Sequence, residues 1–230
     1  MKQAYFITGI DTGVGKTLVS CALLQAFTHQ GFKAVGMKPV AAGCVESHAG
    51  SSCEDVENLL AAGNVDAPLE WVNPYALVPS VAPHIAAEQA GIEIELTRVV
   101  NAFKQLQELA DVVVVEGVGG FAVPLNDHQD TADMAAMLGL PVILVVGMRL
   151  GCINHALLTA QAIRHKGLRL VAWVANRIDR DMSAFEENLA AIESRLAVPL
   201  LGVVPFQPDV TSVQLSSFVD LNILNSRILK

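Results

Sequence analysis

Short, unbroken apolar runs recur along the chain, and stretches of helical spacing separate them. Val112 to Val115 and Leu140 to Gly147 are the clearest runs. Runs of this length with polar flanks read as strands buried on both faces. On that pattern strands are expected at Ala4–Thr8, Ala34–Lys38, Asp111–Glu116, Val142–Val146, Leu170–Ala175 and Leu200–Val204. Helices are expected near Lys16–Gln30, Glu95–Leu109, Thr131–Leu138, Asn154–Lys166 and Ser183–Leu196, with Gly31 closing the first. The alternation predicts an α/β fold, a doubly wound and mostly parallel sheet. Gly43 to Ser52 is small and polar and reads as a loop; Ser51 or Ser52 is placed to cap a helix carrying Asp55, Leu59 and Leu60. Residues 64–83 hold Pro68, Pro74, Pro79 and Pro83 and read as a long irregular connection. A connection of that length is either functional or a mis-assigned element. The tail after Asp209 has no decided pattern. No linker interrupts the order, so residues 1–230 are expected to form a single domain.

Charge narrows the partners. Lys and Arg number 15 against 23 Asp and Glu, a net charge of −8, and no basic run occurs. Neither nucleic acid nor an anionic membrane is the expected partner. The hydrophobic share is 52%, yet every apolar run falls far short of the roughly 18–20 residues that a membrane-spanning helix needs. The first strand begins within five residues of Met1, so no signal peptide is expected. Cys21, Cys44, Cys53 and Cys152 show no metal or redox spacing, so free thiols in a reducing cytoplasm are expected.

Candidate chemistry begins at Gly9-Ile10-Asp11-Thr12-Gly13-Val14-Gly15-Lys16-Thr17, between the first strand and the first helix. A glycine-rich turn in that position makes a nest of backbone N–H groups for phosphate. Lys16 then reaches the β/γ-phosphates, and the Thr17 hydroxyl is placed to ligate Mg²⁺. The loop is one residue longer than GxxxxGK[ST], because five residues separate Gly9 from Gly15. Parallel strands present their C-terminal ends at one edge, where ligands bind. Glu116 ends a strand at that edge, either as a Mg²⁺-sharing acid followed by Gly117, Gly119 and Gly120 or as a solvated strand-end charge. Asp55 is a second metal-ligand candidate or an acid favoured by a helix N-terminus. Lys38 is a clamp on phosphoryl or substrate charge, or a snorkelling surface lysine. Asn176 sits where an amide can read a base, and Asn176-Arg177-Ile178-Asp179 has a spacing used to read guanine. His84 and His155 are assigned no role.

The ordered set resembles the dethiobiotin synthetase family over almost the whole chain. The residues that carry the resemblance are Gly9–Thr17, Lys38-Pro39-Val40, Asn73-Pro74-Tyr75, Pro83-His84-Ile85 and Val115-Glu116-Gly117 with Gly119-Gly120. Leu140–Gly147, Leu150-Gly151-Cys152-Ile153-Asn154-His155-Ala156, Trp173–Asn176 and Leu200–Gly202 with Pro205 continue it. The family uses the longer glycine loop. The resemblance implies ATP-dependent carboxylation and ring closure of 7,8-diaminononanoate with CO₂, through a carbamate and a carbamic–phosphoric anhydride, to dethiobiotin in biotin biosynthesis. It implies Lys16, Lys38 and Thr12 as catalytic residues, and Thr17, Asp55 and Glu116 as Mg²⁺ ligands. Nucleotide contacts would come from Gly13, Val14, Gly15, Lys16, Thr17, Leu18, Asp55, Glu116, Gly117, Val118 and Gly119, with Asn176, Arg177, Pro205, Phe206 and Gln207 around the base. Thr12, Lys38 and Ala42 would meet the substrate, with Gly151 and Asn154 reaching the partner's substrate in a cytoplasmic homodimer. Two positions depart from the family: Ala42 stands near a common serine, and Gly13 replaces a residue often acidic in relatives. A partition-type or metal-chaperone ATPase switch is the alternative, although no lysine stands early in the loop. An amide-forming ligase for a cobyrinic-acid-like carboxylate is a further rival, for which 230 residues leave little room.

Overall fold

The computed structural model describes residues 2–47, 50–206 and 216–228. In chain order its elements are β1 (Gln3–Gly9), α1 (Lys16–His29), β2 (Ala34–Met37), β3 (Val40–Ala42), β4 (Val45–Ser47), β5 (Gly50–Ser52) and α2 (Glu54–Ala62). Next come α3 (Leu69–Val72), β6 (Tyr75–Leu77), α4 (Pro83–Gln89), α5 (Leu96–Leu109), β7 (Val112–Glu116) and α6 (Thr131–Leu138). The last are β8 (Val142–Met148), α7 (Cys152–His165), β9 (Leu170–Arg177), α8 (Phe185–Leu196), β10 (Leu200–Val204), a 3₁₀ turn (Ser216–Phe218) and α9 (Leu221–Ile228).

Six strands form one sheet in the order β10-β9-β8-β1-β7-β2, every pair parallel. Period-two alternation divides its side chains between two cores. Phe6, Val113, Val115, Leu144, Val146 and Trp173 face one side, against α5, α6, α7 and α8. Tyr5, Ile7, Val112, Val114, Ile143 and Val145 face the other, against α1 and α9. The four valines of β7 are each at most 1% exposed. Burying a valine side chain contributes about 1.5–3 kcal/mol, so this strand is firmly held where it delivers Glu116. The expected doubly wound sheet is therefore what forms. β1 lies between β7 and β8; the chain runs from it to β2 and β7 on one side, then passes to β8, β9 and β10 on the other, so the glycine loop after β1 sits at the switch point where open α/β sheets bind ligands.

Several boundaries move. Strand two ends at Met37, with Lys38 just beyond it, and β9 runs through Asn176 to Arg177. The expected Gly43–Ser52 loop contains the antiparallel pair β4–β5, and Cys44 is joined to Cys53 in a disulfide. Only Cys21 and Cys152 are free thiols, which corrects the expectation for the other two. Cys53, not a serine, holds the N-cap of α2 and makes no side-chain cap bond. The proline-rich stretch is ordered into α3, β6 and the start of α4, and β6 pairs in parallel with β3. Pro83 occupies the first turn of α4, where the missing N–H is not needed. Asp209, from which the tail was undecided, lies outside the described residues. No described helix is long and apolar enough to cross a membrane.

Candidate functional site

Three elements bring charge to the glycine loop. Lys38 follows β2, Glu116 ends β7, and Asp55 lies in the first turn of α2. Lys38 Nζ is 2.5 Å from Glu116 Oε1 and 2.7 Å from Asp55 Oδ2, and it donates to the Gly117 carbonyl at 3.3 Å. The Lys38 side chain is 3% exposed and that of Glu116 0%, whereas that of Asp55 is 45% exposed. A lysine so enclosed is not a snorkelling surface residue. Its backbone is braced by the proline-rich stretch: Lys38 N–H donates to the Val72 carbonyl at 2.8 Å, and Asn73 Nδ2 donates to the Lys38 carbonyl at 2.6 Å. Burial works to lower the Lys38 pKa, but Glu116 and Asp55 outweigh it and hold the ammonium above its ordinary value. Desolvation works to raise the Asp55 pKa; the Lys38 charge and the bonds from Lys38 and Thr17 reverse it and hold the carboxyl below its ordinary value.

The Thr17 hydroxyl is 2.9 Å from Asp55 Oδ1 and 2.8 Å from Glu116 Oε1. One hydroxyl has one proton, so it serves only one of these acceptors at a time. Glu116 Oε2 is buried and has no hydrogen-bond partner among the described residues. An orphaned buried carboxylate oxygen beside an over-subscribed hydroxyl is an oxygen donor set short of positive charge. Two carboxylates and a hydroxyl, with no assembled group of three His, Cys, Asp or Glu among the described residues, suit a hard cation that keeps waters and phosphate oxygens in its shell. These residues fit Mg²⁺.

Lys16 is 7% exposed, and its Nζ donates to the Asp11 carbonyl at 3.1 Å. Burial first, and the Lys38 charge second, lower its pKa to about 8. The loop itself is pinned from beneath. Asn176 Nδ2 donates to the Val14 carbonyl at 2.9 Å, and a Cβ at Gly15 would overlap that same nitrogen. Gly15 has φ 87°, a left-handed conformation that glycine adopts without strain. From the other side, Arg149 Nη2 pairs with Asp11 Oδ2 at 2.7 Å.

A cavity of about 730 Å³ opens over this cluster. Thr12, Gly13, Gly15, Lys16, Thr17, Lys38, Ala42, Asp55, Glu116, Val118 and Gly119 line it, which brings together most of the sequence candidates. A second cavity of about 550 Å³ shares Gly15, Thr17 and Asp55 and adds Leu18. Val14 is buried beneath the loop, and Gly117 is buried behind it. Other candidates stand elsewhere. Arg177 lays its guanidinium over the Phe185 ring at 4.9 Å and donates to the Arg180 carbonyl. Asp179 accepts from the Asp181 N–H within its own turn. Gly151 and Asn154 are exposed at the start of α7, outside the cavity of their own chain. Pro205 and the exposed Phe206 follow β10 at the same sheet edge; Gln207 lies outside the described residues. Sequence reasoning missed Ser80, Val81, Ala82 and Val123, and gave Pro83 no site role, although all of them line the larger cavity. The signal available was the unusual length of the proline-rich connection.

The chain resembles proteins of established name. A family described as an AAA domain matches residues 3–214. The ATP-dependent dethiobiotin synthetase of Nitrosospira multiformis is 56% identical over 221 residues, which cover 96% of this chain and 96% of that protein. The protein of the same name from Aromatoleum aromaticum is 54% identical, covering 95% and 97%. Among solved structures, the cell division ATPase MinD of Pyrococcus furiosus superposes with a TM-score of 0.59 at 17% identity, over 98% of this chain and 99% of that one. A ParA family ATPase from Chlorobium tepidum gives 0.57 at 15% identity, over 100% and 93%. At such identities the structural likeness speaks to the fold alone.

Proposed function

Because the chain belongs to the dethiobiotin synthetase family, we propose that its glycine loop and the Lys38–Glu116–Asp55–Thr17 cluster carry out the family's chemistry. The protein is an ATP-dependent ligase that forms dethiobiotin in biotin biosynthesis. The observation that carries the site assignment is the enclosed Lys38, held 2.5 Å from a wholly buried Glu116 at the floor of the main cavity.

A carbamate of 7,8-diaminononanoate and the γ-phosphate of ATP are both anions, and their repulsion is the first obstacle. Lys38 remains an ammonium, as its raised pKa requires, so it acts as a fixed positive charge and hydrogen-bond donor rather than a base. Placed between the two anions, it stabilises the charge that builds up as the carbamate oxygen meets phosphorus. Lys16 leaves the Asp11 carbonyl for the β/γ-phosphates, with the N–H groups of Gly13 to Thr17 and Leu18 holding the rest of the polyphosphate. Thr17, Asp55 and Glu116 would hold Mg²⁺, which would supply neutralising charge for the phosphate oxygens. Thr12 and Ala42 border the reacting carbamate, and Gly117, Val118 and Gly119 line the phosphate side. The second amine, kept within reach of the carbamic–phosphoric anhydride, closes the five-membered urea as phosphate departs. Closing the cavity keeps water from the anhydride.

The base site is read from Asn176. The Val14 carbonyl needs a donor, so the amide nitrogen is committed to the loop. Its Oδ1 is then left as an acceptor, which matches the amino group of adenine and opposes the carbonyl of guanine. Pro205 and Phe206 border the base pocket; Arg177, packed on Phe185, supports its wall. Residues 1–230 act as one domain, and two copies pair in the cytoplasm so that Gly151 and Asn154 of one reach the substrate of the other. The apolar lining from Val81, Ala82 and Val123 suits the alkyl chain of the diamine. The test is phosphate release from ATP with and without diamine and bicarbonate, together with mass detection of the cyclic urea. Release that is the same without diamine would contradict the assignment.

A further inference from the structure

The Cys44–Cys53 disulfide has no part in the chemistry above, yet it joins two parts of the site. Cys44 follows closely on Ala42, which lines the larger cavity. Its N–H donates to the Leu77 carbonyl at 3.0 Å, and that of neighbouring Gly43 donates to the Pro79 carbonyl at 3.2 Å, so this end is tied to the β3–β6 scaffold. Cys53 belongs to the metal side. It is the N-cap residue of α2, and its carbonyl accepts the Glu57 N–H at 3.0 Å. Asp55 stands two residues further on. The body of α2 is anchored by buried Val56, Leu59 and Ala62. Its first residues hold by the disulfide, by the contact between Ser52 Oγ and Glu57 Oε1, and by the polar bonds of Asp55 itself.

We propose that Cys44 and Cys53 form an oxidation site that clamps the Asp55 end of α2 to the substrate wall, so that affinity for the divalent cation depends on the redox state of the pair. The proposal rests on the reading of Asp55 as a metal ligand. Oxidation takes two electrons and two protons from the two thiols and passes them to a low-molecular-weight disulfide, which is released as two thiols; a dithiol reductant reverses the exchange. The two half-cystines are only 3% and 8% exposed, so exchange is slow and either form can be isolated and assayed. Oxidation adds no ligand. It removes the freedom of residues 53–55 to fray, and losing a contact at a helix start weakens ligand positioning by about fivefold, the equivalent of ~1 kcal/mol.

The experiment compares protein incubated with glutathione disulfide and protein reduced with a phosphine. Thiol titration after denaturation should find only Cys21 and Cys152 in the first and all the cysteines in the second. Calorimetric titration of Mg²⁺ in the presence of ADP should show about fivefold weaker binding to the reduced form. Amide hydrogen exchange should quicken at residues 54–57 and nowhere else in α2. The doubly substituted Cys44→Ala, Cys53→Ala protein, which adds no N-cap hydroxyl, should match the reduced form under both treatments. Equal Mg²⁺ affinity and equal exchange in the two forms would overturn the proposal, as would a full complement of thiols after glutathione disulfide. Faster exchange with no Mg²⁺ binding in either form would overturn instead the assignment of Asp55, and with it the metal half of the inference.

Discussion

Replacing Lys38 with alanine should unfold the protein earlier as well as silence it. A lysine at a strand end is ordinarily exposed, and its loss is then nearly neutral. Here the ammonium is 3% exposed and neutralises Glu116, which is 0% exposed, at 2.5 Å. Removing one member of a buried pair leaves an uncompensated charge and costs about 3–5 kcal/mol. The contact with Asp55 adds little to that figure, because a side chain 45% exposed is screened by water. At ~2–4 °C per kcal/mol for a chain of this size, Tm should fall by roughly 6 to 20 °C. Turnover should fall by about 10²–10³, the usual loss for a preorganised charge donor. Calorimetry without nucleotide or Mg²⁺ measures the first effect and the diamine-dependent assay the second. The Lys38→Ala, Glu116→Gln double variant separates them: its Tm should recover most of the loss, and its turnover should not. A single variant that melts with the wild-type protein would refute the buried-pair reasoning, and turnover within tenfold of wild type would refute the chemical role.

Two further outcomes follow from the same structure. Asn176→Leu should lose the bond to the Val14 carbonyl, lowering stability by about 1–3 kcal/mol, and should narrow the preference for ATP over GTP; an unchanged ratio of kcat/KM for the two nucleotides would remove Asn176 from the base site. Asp133 closes a capping box with Asp130 at the start of α6 and accepts from Lys166 at 2.7 Å. These bonds, that from Lys166 first, hold its carboxyl below the ordinary 3.8. Its folded pKa is thus the lower one, so its contribution is present above pH 3.8 and is lost as the pH falls further. The Tm advantage of wild type over Asp133→Asn should therefore be present at pH 7 and shrink below pH 3.8; an advantage that persisted undiminished in acid would contradict this.

What the sequence displays and what it hides divide along a physical line. The valine run of β7 and the glycine loop are local signals, set by burial and by backbone geometry, and both lie where the pattern puts them. The parallel-sheet rule then carries Lys38 and Glu116 to one edge without any knowledge of contacts. Hidden from the sequence are the features made by pairing across distance. The three-residue strands β3 and β6 are too short to show a period, yet their pairing brings Ser80, Val81 and Ala82 to the cavity and sets Asn73 against the Lys38 carbonyl. Nothing in the spacing of Cys44 and Cys53 distinguishes a bonded pair from two free thiols. Asn176 shows a third kind of concealment. Its place at a strand end is legible, but its commitment to the Val14 carbonyl is not, and that commitment leaves the amide oxygen as the atom with acceptor capacity to spare. The same side chain fills the space that a Cβ at Gly15 would need. On the proposed base site, loop geometry and base choice are therefore one constraint: a residue that released Asn176 from the loop should loosen the phosphate nest and the nucleotide preference together.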